Sequence, residues 1–548
     1  MTVQLLRQTS HMSPVAFVVL AAVSALWVGL GRLLDPTMGA DGLRYAWPLH
    51  NLLNGQGYTM WGEPETFYVP GYGVSVHLMA SLGLPLDSAA ALVGILAVAG
   101  CVVLVGWQVG RWSSPKWGLM AAAVVALNPL LIAHSGINLT EPLYTFLMVA
   151  AWFLVVQVWL APNRFNLVML GLVCAFSYLV REEFLVISGG IAGLFWLRFV
   201  VSKWGRLGQP PWLAGKALLL ATLLMFSGPL LWGGWIYHHT GKLSLSGKTA
   251  PALAYADQAT GRMEEKMGLA PWDLPGITLP HYILKVQHAK VRAHRLMLNG
   301  WRYRHTLMQN MLYVVGFVPL LLLPLGHRRG RPVEVVPGVV PAPSYGSIAL
   351  WGMLFHLPLL ILLFIYVYPR FVVPYSVLLS VVLAAAMAKF FHAHWPPAGR
   401  NRWAVRGGVL ALGLGVAASG WQLSQQDNRD LHQGMKYAGL AVQALQLNPR
   451  QVAIPRKGMV FQFYANAGRD MWNPEALPTH TPAAVLRDEL WAQGYRWLVI
   501  DAGYLGRYPN LQPLYDHPQQ FRAQGYCPLR VNPEKGFVLF DLKGCKHE

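Results

Sequence analysis

The chain has 548 residues, of which 54% are apolar and only 12% charged, about half the charged fraction of an ordinary soluble domain. Its apolar residues come in long blocks, which excludes a cytosolic enzyme, a collagen, a coiled coil and a disordered tail. Lysine and arginine outnumber the acids 43 to 24, and the 4 cysteines contain no Cys-x-x-Cys pair, which argues against a disulfide-dense scaffold and a structural zinc site.

A membrane-spanning helix needs roughly 20 apolar residues. Stretches of that kind lie at 14–34, 88–108, 117–134, 142–160, 166–180, 184–200, 217–236, 308–326, 346–368, 371–390 and 405–423, about eleven spans in a polytopic, mainly α membrane protein. The first is longer than the 7–15-residue apolar core of about that size in a signal peptide, so it reads as a retained helix. With the N-terminus inside, the inner segments carry Arg7, Arg111, Lys116, Arg164, Arg198, Lys203, Arg206, Lys216, Arg328, Arg329, Arg331, Lys389, Arg400, Arg402 and Arg406 against Glu334 alone. That bias is the positive-inside signature, and it places the C-terminal segment outside. The basicity therefore reflects topology, and no nucleic-acid partner is expected.

In the outer loop 35–87, Asp41 opens an amphipathic segment whose Leu43, Ala46, Trp47, Leu49 and Leu53 share a face able to lie on a membrane. A turn Asn54-Gly55-Gln56-Gly57-Tyr58 and the element Tyr68-Val69-Pro70-Gly71-Tyr72 follow. Spacing alone gives Asp41 an ordinary role as a cap or first-turn acid. Glu141, within Thr140-Glu141-Pro142, has the same ordinary explanation, because proline suits a first helical turn. Arg181-Glu182-Glu183 is a charged island between two spans, Arg370 stands between two others, and either arginine can snorkel to headgroups. All of these charges fall at one membrane face, where carboxylates and arginines together suit a reaction between an acceptor and an anionic lipid.

The second outer loop, 237–307, holds Lys248 within Leu245-Ser246-Gly247-Lys248-Thr249 and an amphipathic run at 281–292. That run reads as an interfacial helix, whose Lys285, Lys290 and Arg292, with Arg295, suit anionic headgroups or an anionic acceptor. From 424 to 548 the pattern changes to a small α/β domain: strand-like Gln451–Ile454, helical Ala483–Ala492, a strand at Trp497–Ile500, and two closing strands around Leu529–Val531 and Phe537–Phe540. Cys527 and Cys545 flank the last hairpin, and both a disulfide and two thiols are compatible with the pattern. His238-His239 and His392-x-His394 have no companion ligands at metal-site spacing. The phosphate-cradling Gly-x-x-x-x-Gly-Lys-[Ser/Thr] pattern is absent, which disfavours a nucleotide-sugar donor.

Taken in order, Gly39-Ala40-Asp41, Tyr45, Gly55-Gln56-Gly57, Pro70-Gly71-Tyr72, Thr140-Glu141-Pro142, Tyr178-Leu179-Val180-Arg181 and Pro369-Arg370-Phe371 resemble the GT-C superfamily of membrane glycosyltransferases. The nearest group is the PMT-like one, with protein O-mannosyltransferases and lipid A aminoarabinose transferases. The resemblance implies a transmembrane catalytic domain at 1–423 and an extracytoplasmic domain at 424–548. It further implies transfer, with inversion, of a sugar from a polyprenyl-phosphate donor to a lipid, glycan or protein acceptor at the outer face of a bacterial inner membrane. Asp41 matches the family's general base and Glu141 a second acid orienting the acceptor or a basic partner. Arg181, Arg370 and Lys248 are the expected donor-phosphate residues, and Tyr45, Tyr68 and Tyr72 the expected substrate contacts. Many relatives have Asp-Glu where this chain has Asp41-Gly42, so roles that need two carboxylates, divalent-metal binding among them, do not carry over directly. No cofactor is called for, and metal dependence stays open. A lipid transporter or flippase, or a non-catalytic envelope assembly subunit, is the alternative. Internal repeats and midplane charges, the common marks of a transporter, are not visible.

Overall fold

The computed structural model describes residues 37–60, 62–113, 115–126, 138–203, 215–247, 343–362, 369–394, 430–454, 459–466 and 481–545, with single residues at 128, 131, 297 and 477. The expected spans 14–34, 308–326 and 405–423, the amphipathic run 281–292, and Lys248 lie outside the described residues.

The chain enters through helix α1 (Ala40–Leu53) and a two-stranded antiparallel hairpin of β1 (Thr59–Met60) and β2 (Glu63–Pro64), then turns into α2 (Gly71–Ala80). Helices α3 (Leu86–Trp112), α4 (Pro115–Ala126), α5 (Glu141–Leu160), α6 (Arg164–Val180), α7 (Phe184–Lys203), α8 (Gly215–Thr240), α9 (Tyr345–Leu362) and α10 (Val373–His394) build the membrane region. Four of them, α3, α5, α7 and α8, are long and apolar enough to cross a bilayer, and the protein is a multi-pass membrane protein. Helix α3 has 27 residues, about 40 Å at 1.5 Å per residue. A hydrocarbon core is about 30 Å thick, so α3 has length to spare and Asp87 sits in its first turn. Between α6 and α7 the chain reverses over Arg181–Glu183 alone, with the Phe184 amide donating to the Arg181 carbonyl at 3.1 Å. The charged island is thus the tip of a helical hairpin.

The amphipathic stripe of α1 faces protein instead of lipid: Leu43, Ala46 and Trp47 are buried, and Leu53 alone of the expected set projects outward. Two glycines make the close packing possible. A Cβ on Gly42 would lie 2.2 Å from the Asn138 carbonyl oxygen, and one on Gly73 would lie 2.4 Å from that of Tyr45. Both distances are far inside van der Waals contact, so neither position accepts a side chain without displacing backbone.

The C-terminal region is α/β. It comprises α11 (Asp430–Ala444), β3 (Val452–Ala453), α12 (Met459–Tyr464), α13 (Ala483–Ala492), β4 (Trp497–Asp501), β5 (Cys527–Asn532) and β6 (Phe537–Asp541). The sheet order is β3-β4-β6-β5, with β3 and β4 parallel and the other pairs antiparallel. Alternate side chains serve two cores: Val499, Phe537 and Leu539 join the core that runs through α11 into the membrane helices, whereas Leu498, Ile500, Val538 and Phe540 pack towards α13. Burial on both faces explains why β4 and β6 read as unbroken apolar runs. Cys527 and Cys545 are joined in a disulfide.

Candidate active site

Arg181 is the centre of the charged cluster. It is 4% exposed, and Nη1 donates to Glu141 Oε1 at 3.4 Å while Nη2 donates to Glu183 Oε1 at 3.0 Å. Nε reaches Glu183 Oε2 at 3.4 Å. The guanidinium lies over the rings of Phe371, at 4.8 Å, and Tyr144, at 5.3 Å. A buried cation needs partners of this kind, because the cost of taking it out of water is several kcal/mol, and a flat guanidinium suits stacking on aromatic faces. Phe371 belongs to the 3-10 turn Pro369–Val372, which brings that turn against the cluster. Of the Arg370 side chain nothing is described.

Asp41 is in the first turn of α1, but the cap of that helix is Gly39, without a side-chain cap bond. One turn on, Tyr45 points into the cluster, and Arg181, Glu183, Glu141 and Asp41 all act electrostatically on its hydroxyl. Burial is the largest influence and drives the Tyr45 phenol well above its ordinary range; Arg181 opposes the rise and the three carboxylates add to it. Tyr45 is therefore a permanent hydrogen-bond donor. Its ring meets Tyr68 edge-on at 4.7 Å and Tyr72 at 6.0 Å, and Arg44 Nη1 donates to the Tyr68 hydroxyl at 3.0 Å.

The Tyr72 hydroxyl is fully buried and makes no hydrogen bond. Desolvation, and then Glu141 and Asp87, hold it protonated. The hydroxyls of Tyr144 and Tyr375 interact electrostatically, yet neither completes a hydrogen bond of good geometry. Buried polar groups are normally satisfied, so the unpaired Tyr72 hydroxyl beside a charged cluster is a donor available to a bound molecule.

The first loop is fastened from outside. Glu65 accepts from the amides of Phe67, at 2.5 Å, and Tyr68, at 3.0 Å, and Trp235 Nε1 donates to the Glu65 carbonyl at 2.8 Å. Ser246 donates to Glu182 Oε2, and Tyr178 donates to the Leu245 carbonyl. Leu245 and Ser246 of the second outer loop are thereby held at the hairpin tip, two positions before Lys248.

Asp41, Tyr45, Tyr68, Tyr72, Glu141 and Arg181 are thus brought together from α1, the first loop, α2, α5 and the α6–α7 turn. Sequence reasoning did not assign Glu183, Tyr144 or Phe371. Glu183 was visible in the charged island, and Tyr144 stands three residues after Glu141, on the same helix face. For Phe371 there was only its place next to Arg370. Among the described residues, no group of three histidine, cysteine, aspartate or glutamate side chains is placed to hold a metal ion.

The overall fold has counterparts among solved structures. The chain superposes on ArnT from Cupriavidus metallidurans bound to undecaprenyl phosphate with a TM-score of 0.51, covering 96% of this chain and 99% of that one at 13% identity. The chain shares the fold of ArnT. The apo form of the same ArnT matches with the same TM-score and coverage. The Archaeoglobus fulgidus oligosaccharyltransferase in complex with zinc and sulfate gives 0.49, with 93% of this chain and 71% of that one at 14% identity. No family model and no curated protein matches the sequence. In this chain position 42 has no room for a second acid: the Asn138 backbone occupies the space that a glutamate side chain would need.

Proposed function

We propose that the chain is a membrane glycosyltransferase that moves a sugar from a polyprenyl-phosphate donor to a lipid, glycan or protein acceptor, with inversion. The reaction takes place at the outer face of a bacterial inner membrane, with the C-terminal region on the periplasmic side. The observation that carries this reading is the buried Arg181 held between Glu141 and Glu183, on a fold that matches ArnT with undecaprenyl phosphate over 96% of this chain.

In this reading Asp41 accepts the proton of the acceptor group and directs it at the anomeric carbon. Glu141 holds Arg181. Three of the five N–H donors of a guanidinium are engaged with carboxylates, and the remaining two face the leaving lipid phosphate, together with Arg370 and Lys248. Fixed donors of this kind stabilise charge as it develops, in a site where little water competes. Tyr45, Tyr68 and Tyr72 line the sugar position.

The test is transfer of radiolabelled sugar from a panel of undecaprenyl-phosphate donors to membrane extract by the purified protein in lipid, wild type beside Asp41→Asn. Wild-type transfer with a loss of about 10²–10⁴-fold in the variant is expected for a general base. Unchanged transfer by Asp41→Asn sinks the assignment, and carrier movement across vesicles without sugar release supports the flippase alternative.

A further inference from the structure

Asp87 does more than begin a helix. Its Oδ1 accepts from the Met38 amide at 3.1 Å and from the Tyr464 hydroxyl, and its Oδ2 pairs with Lys436 Nζ at 3.2 Å. Its carbonyl accepts from Asn138 Nδ2 at 3.3 Å, an amide that also donates to the Thr37 carbonyl. Met38 is three residues before Asp41, and Asn138 is three residues before Glu141. Lys436 and Tyr464 belong to α11 and α12 of the C-terminal region. A second contact acts further along α1, where Phe463 meets Trp47 at 5.5 Å and His50 at 5.8 Å, both edge-on.

The C-terminal region thus acts on both sides of the turn that carries Asp41 and Tyr45: on Met38 through Asp87, and directly on Trp47 and His50 through Phe463. Gly42 lies in that turn against the Asn138 carbonyl, so the two acidic segments are packed backbone to backbone. Carboxylates that accept several charge-assisted hydrogen bonds fix geometry as well as contributing energy.

We infer that the C-terminal region is part of the frame of the active site: through Lys436 and Tyr464 it holds Asp87, and through Asp87 it sets the position of α1. Asp87, Lys436 and Tyr464 are positioning residues that act on Asp41 and do not touch the substrate. This inference rests on the glycosyltransferase reading for its kinetic consequence but not for its structural one. Helix α1, not the charged cluster around Arg181, is what this clamp restrains. Weakening it therefore lowers turnover more than donor affinity, because a small misplacement of a reacting group costs rate steeply.

The experiment uses the full-length protein in lipid, as wild type, Lys436→Met, Tyr464→Phe and Lys436→Arg. Hydrogen exchange is followed at the amides of Leu43 to Trp47 and, as an internal reference, at those of α6. The expected result is loss of protection in α1 but not in α6 for Lys436→Met and Tyr464→Phe, with retention in Lys436→Arg, which keeps the cation. With the undecaprenyl-phosphate donor panel, kcat falls by about 10–100-fold for the first two variants, while the donor KM changes by less than about threefold. Tyr464→Phe removes a single hydroxyl and keeps the ring, so it separates the clamp from general unfolding. Unchanged exchange in α1 for both variants overturns the inference, as does a kcat loss that matches only the fraction of protein lost to unfolding. If the wild type transfers no sugar, the glycosyltransferase reading fails and the exchange measurement alone decides on the clamp.

Discussion

Asp87 and Asp501 are both buried, and consecutive residues of α11 meet them: Lys436 the first, Gly434 and Met435 the second. Asp87 lies at the seam between the membrane and C-terminal regions and has a lysine cation, a tyrosine hydroxyl and a backbone amide. Asp501, at the end of β4, has the backbone amides of Gly503 and Met435 and, among the described residues, no cation, and its Oδ2 makes no hydrogen bond there. Desolvation pushes the Asp501 carboxyl up to about 7, with the two amides opposing the rise. Two acids of the same type and similar burial thus carry different loads, and the difference comes from what the fold places opposite each. Where the chain supplies a cation, the carboxylate becomes a joint between regions. Where it does not, the carboxyl is held close to its neutral form.

The sharpest way to break the comparison is to remove a cation from a cluster that depends on one. Arg181→Met leaves the buried Glu141 and the partly buried Glu183 beside an apolar side chain. It is expected to cost about 3–5 kcal/mol of stability and to abolish transfer, as read by thermal unfolding in lipid and by the donor assay. Retention of wild-type stability would mean that the two carboxylates relax into water.

Asp501 tests the other side. Its folded pKa exceeds the unfolded value, so the folded protein holds a proton that the unfolded chain has released. The corresponding stability is fully present below about pH 4 and is lost as the pH rises through 7, by roughly 4 kcal/mol at most. Asp501→Asn, which keeps an acceptor for the Gly503 amide, should flatten this pH dependence of unfolding and be relatively more stable at pH 8 than at pH 5. An equally steep profile in the variant would place the titration elsewhere.

The smallest effect is expected at Tyr72. Its hydroxyl has no partner to lose, so Tyr72→Phe should change stability by less than about 1 kcal/mol. If the hydroxyl meets substrate, as proposed, the donor KM or kcat nonetheless worsens. A fully active Tyr72→Phe would remove the tyrosine from the proposed sugar position.

Much of this architecture is legible in the sequence, for identifiable reasons. Spans such as 142–160 and 184–200 announce themselves because a bilayer demands about 20 apolar residues in a row. The observed helices Glu141–Leu160 and Phe184–Lys203 start within a residue of those limits. The C-terminal strands were readable for a similar reason: burial on both faces leaves apolar runs, and Trp497–Asp501 and Phe537–Asp541 fall where expected. The charges of the candidate site were visible as acids and arginines in places where charge is costly. Their pairing was not, because Arg181 and Glu141 are 40 residues apart. Asp87 left no signal beyond that of an acid at a helix start, since its meaning depends on Lys436 and Tyr464, hundreds of residues later. The face of α1 was misjudged for a related reason: periodicity shows which side of a helix is apolar, but not whether lipid or protein will cover it.

The disulfide gives the C-terminal region an order of failure. It joins Cys527, at the start of the edge strand β5, to Cys545, just beyond β6 and 18 positions along the sequence. A loop of about this length is worth about 3 kcal/mol in the chain-entropy account. The fastener therefore guards the rim of the sheet, far along the strand order from β3. A reductant that opens it would fray the region from its outer edge inward and reach β4 late. The helix that grips the membrane region would be among the last parts to let go.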